Sequence, residues 1–324
     1  MPKKIKQEEK KKNNPLVKEV WGSKIKQSPS KNTHISYSSF STYQKCPKLW
    51  DLQYRQKVIP FTQSVYTIFG TAMHETIQSW LEVLYYDKVK TANEMNLNQL
   101  LYDNIVKAFK TAKATNKGGI IEGTFPERRE LDQTTLTLFY NDGKHILEFL
   151  KKNRTMYFTS KTMQLAGIET LLYQDIKPGV KFKGLVDLVF YHPNSDRWTI
   201  MDIKTSTRGW NEQSKKNPNL TAQVVLYKEY FAQQFGVDRD NIDVEYFIVK
   251  RAVPKDAEFA SMQRRVQQFR PFGNTSGKNK TKAVLKALDK FVNDVVDVDG
   301  NLIDKDYNCK NAFGKCEHCS PFLN

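Results

Sequence analysis

The chain has 324 residues, 39% of them hydrophobic with 19 Phe and 15 Tyr, enough for a sizeable core and too many for a wholly disordered protein. Lysine and arginine total 51 against 35 acids, a formal net charge of +16, which favours polyanionic partners because neutralised phosphates release their counterions. No stretch reaches the ~20 apolar residues of a membrane span, the basic N-terminus lacks the apolar core of a secretory signal, and four unevenly placed cysteines make no secreted disulfide framework, so an intracellular, cytoplasmic protein is expected.

Residues 1–33 carry Lys3, Lys4, Lys6, Lys10, Lys11 and Lys12 with little periodic apolar content and read as a disordered basic tail ahead of one domain over 34–324. Order is expected from Ile35, where Ser36 or Ser38 can cap a helix through Phe40 and Tyr43, and Pro47 restarts a second helix toward Tyr54. From about Ile68 to Tyr85, Phe69, Met73, Ile77, Trp80, Leu81 and Leu84 form a helical apolar stripe. Helical patterns over roughly Leu97–Thr115 and Leu131–Lys152, separated by Gly118, Gly119, Gly123 and Pro126, predict a helical insertion at about 90–155.

Period-two patterns then mark strands at Gly167–Gln174, Phe182–Tyr191, Trp198–Thr205 and Val244–Lys250. An amphipathic helix at about Leu220–Phe235, ended by Gly236, separates the last two strands, and a late helix covers about Lys282–Val296. That order predicts an α/β sandwich around a mixed sheet flanked by helices.

The chemistry concentrates beside the turn His192–Asp196, where Pro193, Asn194 and Ser195 predict a hairpin. On its second strand Asp202 and Lys204 are two residues apart, so they share one face with Trp198 and Ile200. On its first strand Asp187 interrupts the apolar run Leu185–Phe190, which is costly unless a cation or a lysine compensates the carboxylate. Two carboxylates can hold Mg²⁺ or Mn²⁺ through hard oxygen ligands, and an adjacent lysine can orient a water and offset developing negative charge. The bland alternative is a structural Asp202–Lys204 pair beside a capped Asp187, since Asp-x-Lys alone is a common accident.

Five short motifs occur in order: ISYSSFSTYQKCPKLWDLQY, FGTAMHETI, GLVDLVF, IMDIKTS and QVVLYKEY. Together they resemble the PD-(D/E)XK nuclease superfamily, specifically its RecB-like exonuclease branch, over Ile35 to Cys319. The resemblance implies a restriction-endonuclease-like mixed sheet with the helical insertion in the N-terminal half. It also implies a Mg²⁺- or Mn²⁺-dependent DNA exonuclease acting on single-stranded or end-bearing DNA in replication, recombination or repair. A structure-specific endonuclease on the same fold and a non-catalytic DNA-binding subunit remain the alternatives.

Asp187, Asp202 and Lys204 would be the catalytic acids and lysine, with His74 of the Gly-x-x-x-His motif joining Asp187 and Asp202 as metal ligands. Gln223 and Tyr227 match the Gln-x-x-x-Tyr motif, four apart on one helical face, and would join the catalytic set by holding a nucleotide or Lys204; Glu169 lies near where some relatives carry another acid. The alternatives are a packing histidine at His74, a surface Gln223 beside a core-edge Tyr227, and a surface glutamate at Glu169. Gly70, four residues before His74, is expected to leave room near the imidazole.

Iron–sulfur relatives hold a [4Fe–4S] cluster with one cysteine near the opening helix and three near the C-terminus, positions matched approximately by Cys46, Cys309, Cys316 and Cys319. Relatives space the last three as Cys-x2-Cys-x5-Cys, whereas this cluster at 309–319 runs Cys-x6-Cys-x2-Cys, with His318 also available. Zinc and uncoordinated thiols therefore stay open. The segments Lys215-Lys216, Arg264-Arg265 and Lys278–Lys282, with exposed rings expected at Trp210, Phe269 and Phe272, suit a single strand. No Walker-type loop is present, so a helicase or recombination partner would be a separate chain, and the likeness to phage exonucleases makes a phage origin one expectation.

Overall fold

The computed structural model describes residues 14–23, 33–59, 63–115, 121–122, 129–130, 133–159, 161–254, 263–272, 277–309 and 316. Helices begin where a side chain satisfies the open backbone amides of a first turn. Helix α1 (Pro15–Gly22) starts on Asn14, which accepts from the Leu16 amide, and has proline at its first position. Helix α2 (Tyr37–Lys45) starts on Ser36, which accepts from the Ser39 amide at 3.1 Å. It stops at Cys46, whose sulfur accepts from the Leu49 amide and opens α3 (Pro47–Trp50), continued by a π-helical turn over Asp51–Arg55. A reciprocal capping box between Ser64 and Thr67 starts α4 (Val65–Tyr86), which buries the expected stripe from Phe69 to Leu84.

Helices α5 (Val89–Glu94), α6 (Leu97–Thr115), α7 (Gln133–Lys152) and α8 (Arg154–Tyr157) follow, with a two-residue ribbon pairing Ile121–Glu122 and Arg129–Glu130. The sheet strands are β1 (Thr33–Ile35), β2 (Gln164–Lys177), β3 (Val180–His192), β4 (Arg197–Ser206), β5 (Ile242–Lys250) and β6 (Val266–Phe269). Between β4 and β5 run α9 (Glu212–Lys215) and α10 (Pro218–Phe235), the latter closed by Gly236 at φ +63. Helix α11 (Lys278–Val295) comes last.

Strand β3 is the axis of this mixed sheet. Along one edge it pairs antiparallel with β2 over nearly its whole length. Its other edge is shared, β1 pairing parallel with Val180–Phe182 and β4 antiparallel with Leu188–His192. Strand β5 then lies parallel to β4, and β6 antiparallel to β5. The edge of β3 over residues 183–187 thus lies in a fork between β1 and β4, and Asp187 stands at its upper lip.

Helices cover both faces. One core packs α2, α10 and α11 on Phe182, Val186, Trp198, Ile200 and Tyr246. The other packs α4, α6 and α7 on Leu188, Phe190, Met201, Ile203 and Phe247. Each fully buried Phe or Ile here contributes about 1.5–3 kcal/mol of transfer free energy, which is what holds the fork in place. No described helix is long and apolar enough to cross a membrane.

Two expectations change. The segment 1–33 is not all a disordered tail: Val20 of α1 is fully buried, Trp21 packs on Tyr86 with centroids 4.2 Å apart, and the Leu171 amide donates to the Ser23 carbonyl. The lysine-rich composition of the segment masks that one apolar turn; residues 1–13 and 24–32 lie outside the described residues. The rings of Trp210, Phe269 and Phe272 are half-buried against the α10-side core, with Trp210 4.7 Å from Tyr246, so they line the core edge and are not exposed platforms.

Candidate active site

The fork explains why Asp187 is tolerated in an apolar strand. Where β4 diverges from β3, the Ile203 amide has no ladder partner on β3, and it donates to Asp187 Oδ2 at 2.7 Å. From the α4 side, His74 Nδ1 lies 3.5 Å from the same oxygen. From the α10 side, the Gln223 amide donates to Asp202 Oδ1 at 2.8 Å and to the Tyr227 hydroxyl at 3.2 Å. Lys204 Nζ is 2.7 Å from Asp202 Oδ2, an ion pair that partners this buried oxygen. His74, Asp187, Asp202, Lys204, Gln223 and Tyr227, distant in sequence, therefore meet at one point of the fold.

Glu169 joins them. It stands opposite Asp187 in the β2–β3 register, between the pairs Ile168–Leu188 and Thr170–Val186, with φ at +49. A left-handed glutamate costs about 1–3 kcal/mol and persists only where its surroundings impose it. Gln78 holds the Glu169 side chain toward Asp187, donating to Glu169 Oε1 at 2.6 Å and to the Asp187 carbonyl at 3.2 Å.

Electrostatics set the protonation of the cluster. Burial pushes the Asp187 carboxyl up to about 7, with Lys204 opposing and Glu169 adding to the rise. Burial likewise raises Asp202 to about 6 against the pull of Lys204. The same desolvation, with Lys204 nearby, lowers His74 to about 4, so its ring is neutral near pH 7. Burial works against the Lys204 ammonium, but Asp202 and Asp187 outweigh it and hold its pKa above the ordinary lysine value.

Three residues of this environment were not singled out in the sequence. Gln78 lies one helical turn beyond His74, and that spacing was the available signal. Tyr37 donates to the Asn219 carbonyl at 2.8 Å and is electrostatically coupled to Lys204 and Asp202. Tyr246 pairs with Asp202 in the β4–β5 register and presents its ring 5.9 Å from Lys204 Nζ. Two glycines make room. A Cβ at Gly184 would lie 2.8 Å from Phe182 and 3.0 Å from Tyr227, so glycine there lets the Tyr227 ring approach β3. At Gly70 the nearest atom to a Cβ would be Thr205 Oγ1 at 3.4 Å, so its place is the crossing of α4 over β4 and not space beside the imidazole.

The sequence model of the PD-(D/E)XK nuclease superfamily matches residues 34–321. The chain belongs to that superfamily. Its sheet, with helices on both faces, is accordingly the restriction-endonuclease-like PD-(D/E)XK fold, and the superfamily's members are hydrolytic nucleases that typically use divalent metals. A solved structure of a candidate exonuclease from Eubacterium rectale is similar at 12% identity and a TM-score of 0.46, covering 88% of this chain and 97% of that one. That likeness is too low to carry argument beside the family match. No curated protein matches the chain.

The fork fits a divalent cation. It offers two buried carboxylates and a neutral imidazole close together. A second metal-competent group lies apart from it. Cys46 Sγ is 3.8 Å from Cys309 Sγ and 3.9 Å from Cys316 Sγ, and the three sulfurs lie within 4.8 Å of one another. Four sulfurs bonded at ~2.3 Å to one tetrahedral ion stand about 3.8 Å apart, whereas an iron–sulfur cubane spreads its thiolates to roughly 6 Å. The described trio can hold a metal, and its separations lie nearer those around a single ion such as zinc than those of a cubane; Cys319 and His318 lie outside the described residues.

Proposed function

We propose that this nuclease is a Mg²⁺- or Mn²⁺-dependent deoxyribonuclease, an exonuclease on single-stranded or end-bearing DNA. The observation that carries the reading is the convergence of the buried Asp202 carboxylate, 2.7 Å from Lys204, with Asp187 and His74. Asp187, Asp202 and His74 would hold the cation, with Glu169 as a further ligand held ready by Gln78. When bound, the cation supplies an acidified water and a clamp on the scissile phosphate.

Every other part belongs to this chain. Lys204, charged and fixed by Asp202, orients the attacking water and offsets the negative charge that develops on the phosphate. Gln223 holds Asp202 in its rotamer, and Tyr227 holds Gln223. Burial removes competing water and strengthens each of these interactions. The cysteines, on this reading, hold zinc that ties the segment after α11 to the start of α3, remote from the chemistry.

The exonuclease assignment draws support from the helical insertion of α6 and α7. Asp142 of α7 pairs with Arg251 just past the end of β5, and Arg251 lies over the Phe139 ring, 3.5 Å from its centroid. These contacts support an insertion beside the strand ends of the proposed site, where it would admit a terminus more readily than an uninterrupted strand. Digestion of linear and covalently closed circular single strands tests the point. Linear strands should be degraded and circular ones survive; equal cutting of both replaces the exonuclease with an endonuclease at the same site.

A further inference from the structure

A cavity of about 770 Å³ lies between α10 and α11 and shares no residue with the fork. Lys228 forms part of its wall. It follows Tyr227 on α10 and so points about 100° away from the active site. Lys228 is only 7% exposed, and among the described residues no carboxylate lies within ion-pair distance of it. Its ammonium sits 5.7 Å from the Phe272 ring centroid. Its carbons are covered by the wall while its ammonium reaches the cavity, and Asp243 and Asp240 act on that charge only from beyond ion-pair distance.

Across the cavity, α11 presents Lys278, Lys282 and Lys286 at four-residue intervals. Such a ladder lies on one helical face and rises about 6 Å per step, comparable with the reach between successive phosphates of an extended strand. Acids also line the cavity, but most are engaged within the protein. Glu229 is paired with Arg239, Asp240 lies 3.6 Å from Lys278, and Asp238 caps the turn that follows it. That leaves Lys228, Lys282 and Lys286 without carboxylate partners among the described residues, against a lone exposed Asp289.

We propose that this cleft is a phosphate-binding site, in which Lys228 at the wall and the lysine ladder of α11 hold the phosphates of a nucleotide, either within a nucleic-acid strand or free. A cleft of this volume is the size of ordinary small-ligand sites. The strand as source rests on the nuclease reading above; the phosphate chemistry does not. Burial lowers the Lys228 pKa, and a phosphate seated beside it would reverse that shift.

The test uses the full chain in EDTA, with a fluorescein-labelled oligothymidylate of about 20 nucleotides followed by anisotropy and dTMP followed by calorimetry. Lys228→Met keeps the volume of the side chain, and the pair Lys282→Glu with Lys286→Glu changes only exposed positions, so the second variant answers if the first fails to fold. Both should weaken strand binding about 10-fold, and each lost phosphate contact should flatten the logarithmic salt slope by about 0.7. If dTMP binding falls while strand affinity is kept, the proposal stands with free nucleotide as the source. Wild-type affinity for both probes in both variants overturns it. Cleavage of linear DNA by the wild type is scored separately: a chain that cleaves but ignores these lysines refutes the cleft alone, and one that cleaves nothing yet needs them for binding refutes the nuclease reading alone.

Discussion

Replacing Asp187 with asparagine should make the metal-free protein more stable while removing its activity. The side chain is buried in the β3–β4 fork with 13% of its surface still exposed, and its carboxyl is raised from 3.8 to about 7, mainly by burial. At ~1.4 kcal/mol per unit, ionising it in the folded state costs at most about 4 kcal/mol at pH 8, less what solvent at its exposed part returns. Asparagine removes that cost and can still accept from the Ile203 amide. With an average unfolding entropy per residue, the gain is at most roughly 7 °C in Tm.

The pH dependence follows from the direction of the shift. A folded-state pKa above the unfolded one penalises the charged form, so the cost is full above pH 7, shrinks as pH falls, and vanishes below about 4. Thermal unfolding of both proteins in EDTA at pH 8 and pH 5 should therefore show a larger advantage for Asp187→Asn at pH 8. The wild type should recover the difference with Mn²⁺, and the variant should not. A variant less stable than wild type by the same margin at both pH values would refute the account of the fork as a strained, cation-ready site.

Gln78→Ala should lower the cleavage rate and weaken Mn²⁺ binding, because it strips the donor from Glu169 and from the Asp187 carbonyl, a loss of about 1–3 kcal/mol; Gln78→Glu, which cannot donate, should do the same, and full activity in both would remove Gln78 from the site. Elemental analysis of protein purified without oxygen should find about one zinc per chain, lost with several degrees of Tm in Cys46→Ser. A brown protein with four irons would overturn the reading of the sulfur separations.

Local periodicity carried much of the fold. The α4 stripe, the stop of α10 at Gly236 and the hairpin after His192 are written in neighbouring residues and appear in the structure as read. Strand β1 was not legible because its three residues gain strand character only by pairing with Val180–Phe182. Strand β6 was missed because Gln267 and Gln268 follow Arg264 and Arg265, so the segment reads as basic surface. Asp187, Asp202 and Lys204 could be singled out from strand position only together with the order of the family's motifs, and the reason Asp187 is tolerated could not be read at all. It depends on β1 and β4 parting along β3, which frees the Ile203 amide, and no local pattern encodes that divergence. Tyr37 and Tyr246 likewise enter through tertiary contact, their sequence contexts being those of an ordinary helix start and a buried strand.

The central claim is that Asp202 and Lys204 perform metal-dependent cleavage at the fork. End-labelled linear single-stranded DNA should be incubated with wild type, Asp202→Ala and Lys204→Ala, each with Mg²⁺, Mn²⁺ or EDTA, while binding is followed in parallel. Cleavage by the wild type only with a divalent ion, loss of at least about 100-fold in either variant, and retained DNA binding in both is the expected result. Wild-type rates in Lys204→Ala, or cleavage that proceeds equally in EDTA, would contradict it.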